Sequence, residues 1–167
     1  MTTFDVVRLD EAQAGEVLTL QRAAYVPEAQ RYRDPDLPPL VETLDELAAA
    51  LRSPSVVALG VRLGHRLVGA VRLRLVGDVA HLGRLVVAPD LQGQGIGSAL
   101  LTAGERALPP AVREIRLFTG DRSAETIRLY ERFGYLRQGE TPEGTHSLVH
   151  LTKVLDPTVD AGTPPVG

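Results

Sequence analysis

The chain has 167 residues, of which 44% are apolar and 23% charged, with a formal net charge of -3 and no cysteine. That length fits one domain with a sizeable core. The missing cysteines exclude a disulfide framework, a thiolate nucleophile and a Cys-ligated zinc, and the weak negative charge excludes a global basic field for nucleic acid or a membrane surface. With three Phe, four Tyr and no Trp, the core must be mainly aliphatic. Met1 to Asp5 has no basic patch leading into an apolar run, so no signal peptide is expected. No apolar stretch is long enough to span a bilayer. A cytoplasmic protein is the expectation.

Phe4 to Leu9 reads as a strand. Asp10 can cap a helix whose face carries Ala14, Val17, Leu18 and Tyr25, and Pro27 marks its expected stop. Arg31 to Leu40 is rich in Pro, Asp and Arg and reads as a loop. Thr43 to Glu46 is a capping box, followed by Leu44, Leu47, Ala48 and Leu51 at helical spacing, with a stop near Ser53-Pro54. The period then changes. Ser55 to Leu63 reads as a strand. Across Leu67 to Val76, Val71, Leu73 and Leu75 alternate with Arg72 and Arg74, the pattern of a half-buried strand. Val79 to Val87 is a third strand, after turns at Gly64-His65-Arg66 and Gly77-Asp78.

Beyond Pro89 comes a glycine cluster, then a helix predicted from Ser98 to Leu108, with Leu100, Ala103, Ala107 and Leu108 on its buried face. Val112 to Thr119 is a strand. Ser123 to Phe133 is a helix, with Ser123 as N-cap and Gly134 as stop. Tyr135 to Gln138 and His146 to Leu155 are the last strands. The tail at 156–167 has no core-forming pattern and reads as flexible. The order β-α-α-β-β-β-α-β-α-β-β predicts an α+β fold on a mixed sheet, with one parallel pair between 79–87 and 112–119.

The segment Gln92-Gly93-Gln94-Gly95-Ile96-Gly97-Ser98 stands between a strand and a helix. Glycines let a ligand approach the backbone, and a helix N-terminus presents unpaired N–H groups, so the segment is an anion site suited to a phosphate or pyrophosphate. A glycine-rich turn with no ligand is the plain alternative. A Walker A loop needs Gly-Lys followed by Ser or Thr, and Lys153 is the only lysine in the chain. A Gly-x-Gly-x-x-Gly fingerprint fails from either start, because Ser98 or Leu100 stands in the third place.

The run Arg84 to Leu101 resembles the acyl-CoA signature of the GCN5-related N-acetyltransferase (GNAT) family, Gln/Arg-x-x-Gly-x-Gly/Ala, met by Gln92, Gly95 and Gly97. Ile127 to Tyr135 resembles that family's second signature block, and the element order resembles its fold from Phe4 to about Leu155. The resemblance implies a single domain over 1–155. It implies a mostly antiparallel sheet of six to seven strands with about four helices, splayed between 79–87 and 112–119. It implies acetyl-CoA as co-substrate and no metal. Backbone groups of Leu85, Val86 and Val87 would hold the pantetheine, and those from Gln92 to Gly97, with Ser98, the pyrophosphate. The implied activity is transfer of an acetyl group to a primary amine of a small molecule, amino acid or peptide.

By the same resemblance Tyr130 is the acid that protonates the departing thiolate; read from spacing alone, it is equally a core aromatic between Ile127 and Phe133. The family's usual Asn ahead of this Tyr is replaced by Ser123, which keeps a hydroxyl for a CoA contact. His81 stands where some members carry a base, with water as the alternative and a packed strand histidine as the plain reading. Gln21, Tyr25 and Tyr32 would line the acceptor pocket, with Glu28, Arg31, Arg33 and Asp34 beside them and residues 140–146 opposite. His65 reads as a surface turn residue, and His146 and His150 as weaker pocket candidates. The resemblance leaves room for a homodimer. A non-catalytic acyl-CoA sensor on the same fold is the competing reading.

Overall fold

The structure is a computed structural model that describes residues 3–155; the tail at 156–167 lies outside the described residues. Among the described residues seven strands form one sheet in the order β1-β2-β3-β4-β5-β7-β6. They are β1 (Asp5–Arg8), β2 (Val56–Leu63), β3 (Arg66–Val76), β4 (Val79–Val87), β5 (Glu114–Gly120), β6 (Leu136–Glu143) and β7 (His146–Val154). Only β4 and β5 pair in parallel. The helices are α1 (Ala14–Tyr32), α2 (Pro38–Val41), α3 (Leu44–Arg52), α4 (Ile96–Arg106) and α5 (Ala124–Arg132). The expected mixed α+β architecture is therefore present.

The pleat of β3 sorts the helices into two layers. Arg72 bonds Gln21 of α1, while its neighbour Leu73 touches Gly104 of α4. Adjacent strand residues point to opposite faces, so α1 and α4 cover opposite faces. Close docking of α4 depends on Gly69, where an added Cβ would stand 2.6 Å from Ile96 Cγ2. Both faces of β3 are covered, so Leu67 to Val71 are buried without interruption.

Several expectations are corrected. α1 passes through Pro27 and ends at Tyr32, with Arg33 left-handed at φ 51° and its N–H on the Ala29 carbonyl. An interior proline costs a helix about 3 kcal/mol; the contacts of Glu28 and Tyr32 beyond it offset that cost. The loop at 31–40 contains the start of α2, opened by Pro38 at its first position. Leu44 is 49% exposed, because it stands at the first position of α3, beyond the stripe of Leu47 and Leu51. The penultimate strand runs to Glu143 rather than Gln138; it is a fully exposed edge that pairs with β7 alone.

The central irregularity lies in β4. Its register with β3 jumps from Arg72↔Gly83 to Ala70↔Val86, so Val71 faces both Arg84 and Leu85. This is a bulge, and Arg84 adopts φ 53° within it. On its other edge β4 pairs with β5 only from Val79 to His81. From Leu82 onward the two strands part, as expected.

Candidate active site

The parting strands leave the β5-side backbone edge of Leu82 to Val87 without a strand partner. Directly beyond it, Pro89 to Leu91 make a short 3-10 turn, and the glycine segment leads into α4. Gly93 and Gly95 have φ of 74° and 87°, which other residues adopt only under strain. None of the N–H groups from Gly93 to Ser98 meets an acceptor among the described residues. Ser98 is half-buried in the first turn of α4, beside Gly97. Leu129 of α5 lies 3.3 Å from where a Gly97 Cβ would stand, so α4 and α5 flank the loop together. Gln92 does more than lend its backbone. Its side chain donates to the Val87 carbonyl at 2.9 Å, tying the loop to the end of β4.

Tyr130 is buried, its ring edge-on to Tyr135 with centroids 5.6 Å apart. Its hydroxyl has no hydrogen-bond partner among the described residues. Burial, reinforced by the neighbouring Tyr25 and Tyr135, raises that hydroxyl far above the ordinary tyrosine range. It therefore keeps its proton at neutral pH. Leu129 places α5 beside the glycine loop, and Tyr25 of α1 is close enough to act electrostatically on the Tyr130 hydroxyl.

The α1 face of the sheet over this gap carries most of the remaining candidates. Directly paired residues share a face, so Arg72, Arg74, Gly83 and His81 stand together. His81 also pairs with Arg116 of β5. Burial lowers its pKa, Arg74 and Arg116 lower it further, and Glu114 opposes them. Across the gap Phe118 of β5 is 64% exposed and meets the His150 ring at 6.0 Å.

Two further candidates are committed inside the protein. Gln21 donates to the Pro39 carbonyl at 2.8 Å and to Glu42 at 2.9 Å, which uses both of its amide hydrogens. Tyr32 accepts from the Arg122 N–H and shares a 2.9 Å bond with the Ser123 hydroxyl, while its ring packs on His146. Ser123 donates in turn to Glu28 at 2.8 Å. Ser123 stands at the N-cap position of α5 but makes no side-chain cap, because its hydroxyl is turned toward α1. That corrects the expected cap, and the same two bonds occupy the hydroxyl assigned to a CoA contact. Tyr25, by contrast, is half-buried and its hydroxyl is unengaged. His65 sits in an exposed turn as expected.

The Tyr32 hydroxyl occupies the space over Gly120, where an added Cβ would stand 2.1 Å from it. Gly120→Ala is expected to displace Tyr32, break its link to Ser123 and destabilise the fold by about 1–3 kcal/mol. A thermal melt beside the parent protein measures this.

The residues that sequence reasoning passed over are Glu42, Arg72 and Arg84. Glu42 accepts from Arg72 at 2.7 Å and 3.2 Å and from Gln21 at 2.9 Å, with side-chain exposures of 14% for Arg72 and 12% for Glu42. Burial would raise the Glu42 carboxyl, but the bonds from Arg72 and Gln21, helped by Arg84, hold it below the usual carboxylate range. Arg84 reaches Glu42 only at 3.7 Å, too far for a hydrogen bond, and its buried Nε has no partner. Such an orphaned donor costs about 1–3 kcal/mol, and a left-handed non-glycine residue about as much again.

The profile of the Acetyltransferase (GNAT) family matches residues 16–135. No curated protein sequence matches the chain. Among solved structures, the chain is similar to the PaiA N-acetyltransferase from Thermoplasma acidophilum in complex with coenzyme A, at 17% identity and a TM-score of 0.73, over 92% of this chain and 100% of that one. It is similar to an acetyltransferase of the GNAT family from Streptococcus pneumoniae at 16% and 0.75, over 92% and 100%. It is similar to the ribosomal-protein-S18-alanine N-acetyltransferase from Escherichia coli at 18% and 0.73, over 91% and 94%. At these identities the structures speak for the fold alone, and the profile spans most of the residues that build the splayed sheet and the glycine loop. The chain belongs to the GNAT acetyltransferase family.

Proposed function

We propose that the protein transfers an acetyl group from acetyl-CoA to a primary amine by direct attack within a ternary complex. The observation that carries this reading is Tyr130: its hydroxyl is held protonated and meets no hydrogen-bond partner among the described residues, and it belongs to α5, whose Leu129 packs on Gly97 of the glycine loop. A CoA-binding sensor needs no free proton donor at that place. The coenzyme A complex of the Thermoplasma neighbour and the ribosomal-protein-S18-alanine N-acetyltransferase support the same reading.

In this reading the loop N–H groups from Gly93 to Gly97, with Ser98, hold the pyrophosphate, and the free edge of Leu85, Val86 and Val87 holds the pantetheine as an added strand would. A backbone N–H near Val86 polarises the thioester carbonyl. Acetyl-CoA supplies the activated acyl group. A neutral amine attacks the carbonyl carbon, the C–N bond forms and the C–S bond breaks. The amine loses one proton to His81 or to water, and Tyr130 provides one at sulfur. Tyr130 is a weaker acid than a thiol of pKa about 8.5. Its main contribution is therefore a hydrogen bond to sulfur as charge develops there, and net proton transfer draws on the proton released by the amine. Among the acceptor-side candidates Tyr25 is the one with an unengaged hydroxyl to offer the amine, and Gln21 and Tyr32, bonded within the protein, hold the wall behind it.

The identity of the acceptor decides the assay. CoA release is to be measured over a panel of amines, amino acids, polyamines, aminoglycosides and peptides. Turnover on any of them supports transfer; tight CoA binding with no turnover would favour the sensor. His81 is tested separately by pH. A base must be unprotonated, so kcat/KM falls as pH drops through its pKa. Burial, Arg74 and Arg116 together put that limb below the ordinary histidine value of about 6.5. His81→Ala is expected to remove the limb, and its persistence would assign the proton to water.

A further inference from the structure

Arg84 sits in the bulge that opens the sheet, yet among the described residues it makes no hydrogen bond, only an ion pair with Glu42 at 3.7 Å. Glu42 is the carboxylate nearest to hand, but it already accepts three hydrogen bonds, two from Arg72 and one from Gln21. Glu28 is taken by Arg31 and Ser123, and Glu114 by Arg116. Arg72 and Arg84 thus share one carboxylate, and Arg84, at the longer distance, is the less fully neutralised of the two. Its Nε is buried without a partner, its terminal nitrogens make no hydrogen bond among the described residues, and its side chain keeps 28% exposure. The guanidinium is also a leading charged neighbour of Tyr25, on the acceptor side of the gap. A planar guanidinium with free, partly desolvated N–H groups is the side chain best suited to a carboxylate.

Resting on the acetyl-transfer reading, we infer that Arg84 binds an anionic group of the acceptor, so that the preferred substrates are amines that also carry a carboxylate, such as free amino acids. The amine then lies toward the gap and Tyr130, and the carboxylate lies toward Arg84 between Tyr25 and the bulge. The strained conformation of Arg84 has a role in this arrangement. A regular strand would alternate residue 84 to one face or the other in register, whereas the bulge aims it at α1.

The test compares each L-amino acid with its own carboxamide, which keeps the amine and removes the negative charge. Wild-type protein is expected to favour at least one amino acid over its amide by tenfold or more in kcat/KM. The amide's amine is the less basic of the two, so amine ionisation works against this result. Arg84→Asn, which tolerates the left-handed backbone, is expected to bring that ratio near one by raising KM for the acid, while kcat and the Kd for CoA change little. Arg84→Lys should retain part of the preference. Equal use of acids and amides by wild type, or a preference that survives in Arg84→Asn, would overturn the inference while leaving acetyl transfer intact. CoA binding with no turnover on any amine would instead remove the acetyl-transfer reading. A binding arm then decides the anion site independently: calorimetric titration of N-acetylglycine against N-acetylglycinamide into the CoA complex. Binding of the acid that is lost in Arg84→Asn supports the site, and equal or absent binding overturns it.

Discussion

Tyr130→Phe is expected to lower kcat by about 100-fold, equivalent to roughly 2.7 kcal/mol of transition-state stabilisation. The ring would stay where it is, against Tyr135 and within the core that Ile127 and Leu117 share. The hydroxyl makes no hydrogen bond among the described residues, so its removal orphans no donor or acceptor. Stability should therefore change by less than about 1 kcal/mol, which separates this variant from one that loses activity by unfolding. CoA binding should also hold, because the residues assigned to CoA act through their backbone. Single-turnover acetyl transfer and a CoA titration measure the two quantities. A full rate in Tyr130→Phe would make the residue a core aromatic and leave thiolate protonation to solvent. The raised hydroxyl carries a second consequence: an alkaline limb in the rate below pH ~10, the ordinary tyrosine value, is not the titration of Tyr130.

The parts of this site that were legible in the sequence are those written in local chemistry. Glycines at 93 and 95 demand a left-handed backbone, and the structure has it. The alternation from Val71 to Leu75 marks a strand, and the strand is there. The illegible parts depend on what lies across space. Arg72 and Arg74 read alike as outward residues, yet α1 and α2 cover Arg72 and leave Arg74 exposed. Nothing in the local pattern says which of two alternating arginines a helix will roof. Glu42, next to a capping box, carries no local signal that it is the acceptor of that buried guanidinium. Pro27 reads as a stop because its cost is local, whereas the contacts that carry α1 past it come from residues almost a hundred positions away, at Ser123. The bulge at Arg84 has no composition signal, since a left-handed residue is commonly glycine or asparagine.

Arg72→Met should be the most destabilising single change on the α1 face, at about 3 kcal/mol, because it leaves the largely buried Glu42 charge with a hydrogen bond from Gln21 alone and Arg84 only at 3.7 Å. For a domain of this size that corresponds to a fall in Tm of roughly 6–12 °C. Removing both partners, Arg72→Met with Glu42→Leu, should recover much of the loss, since the penalty lies in the unpaired charge rather than in the absent bond. The sign with pH follows from Glu42. Its folded pKa lies below its unfolded value of about 4.3, so the pair's contribution is complete above that pH and is lost as pH falls through the folded value. The gap between wild type and Arg72→Met should hold at neutral pH and narrow below roughly pH 4. A gap that is constant down to pH 3 would mean that Arg72 acts through packing of its stem rather than through charge. The same variant bears on Arg84. With Arg72 gone, Glu42 has free lone pairs and Arg84 is the nearest guanidinium, at 3.7 Å. If Arg84 closes on Glu42 to hydrogen-bond distance, its free N–H groups are taken up, and the preference for carboxylate-bearing acceptors should fall even though Arg84 itself is untouched.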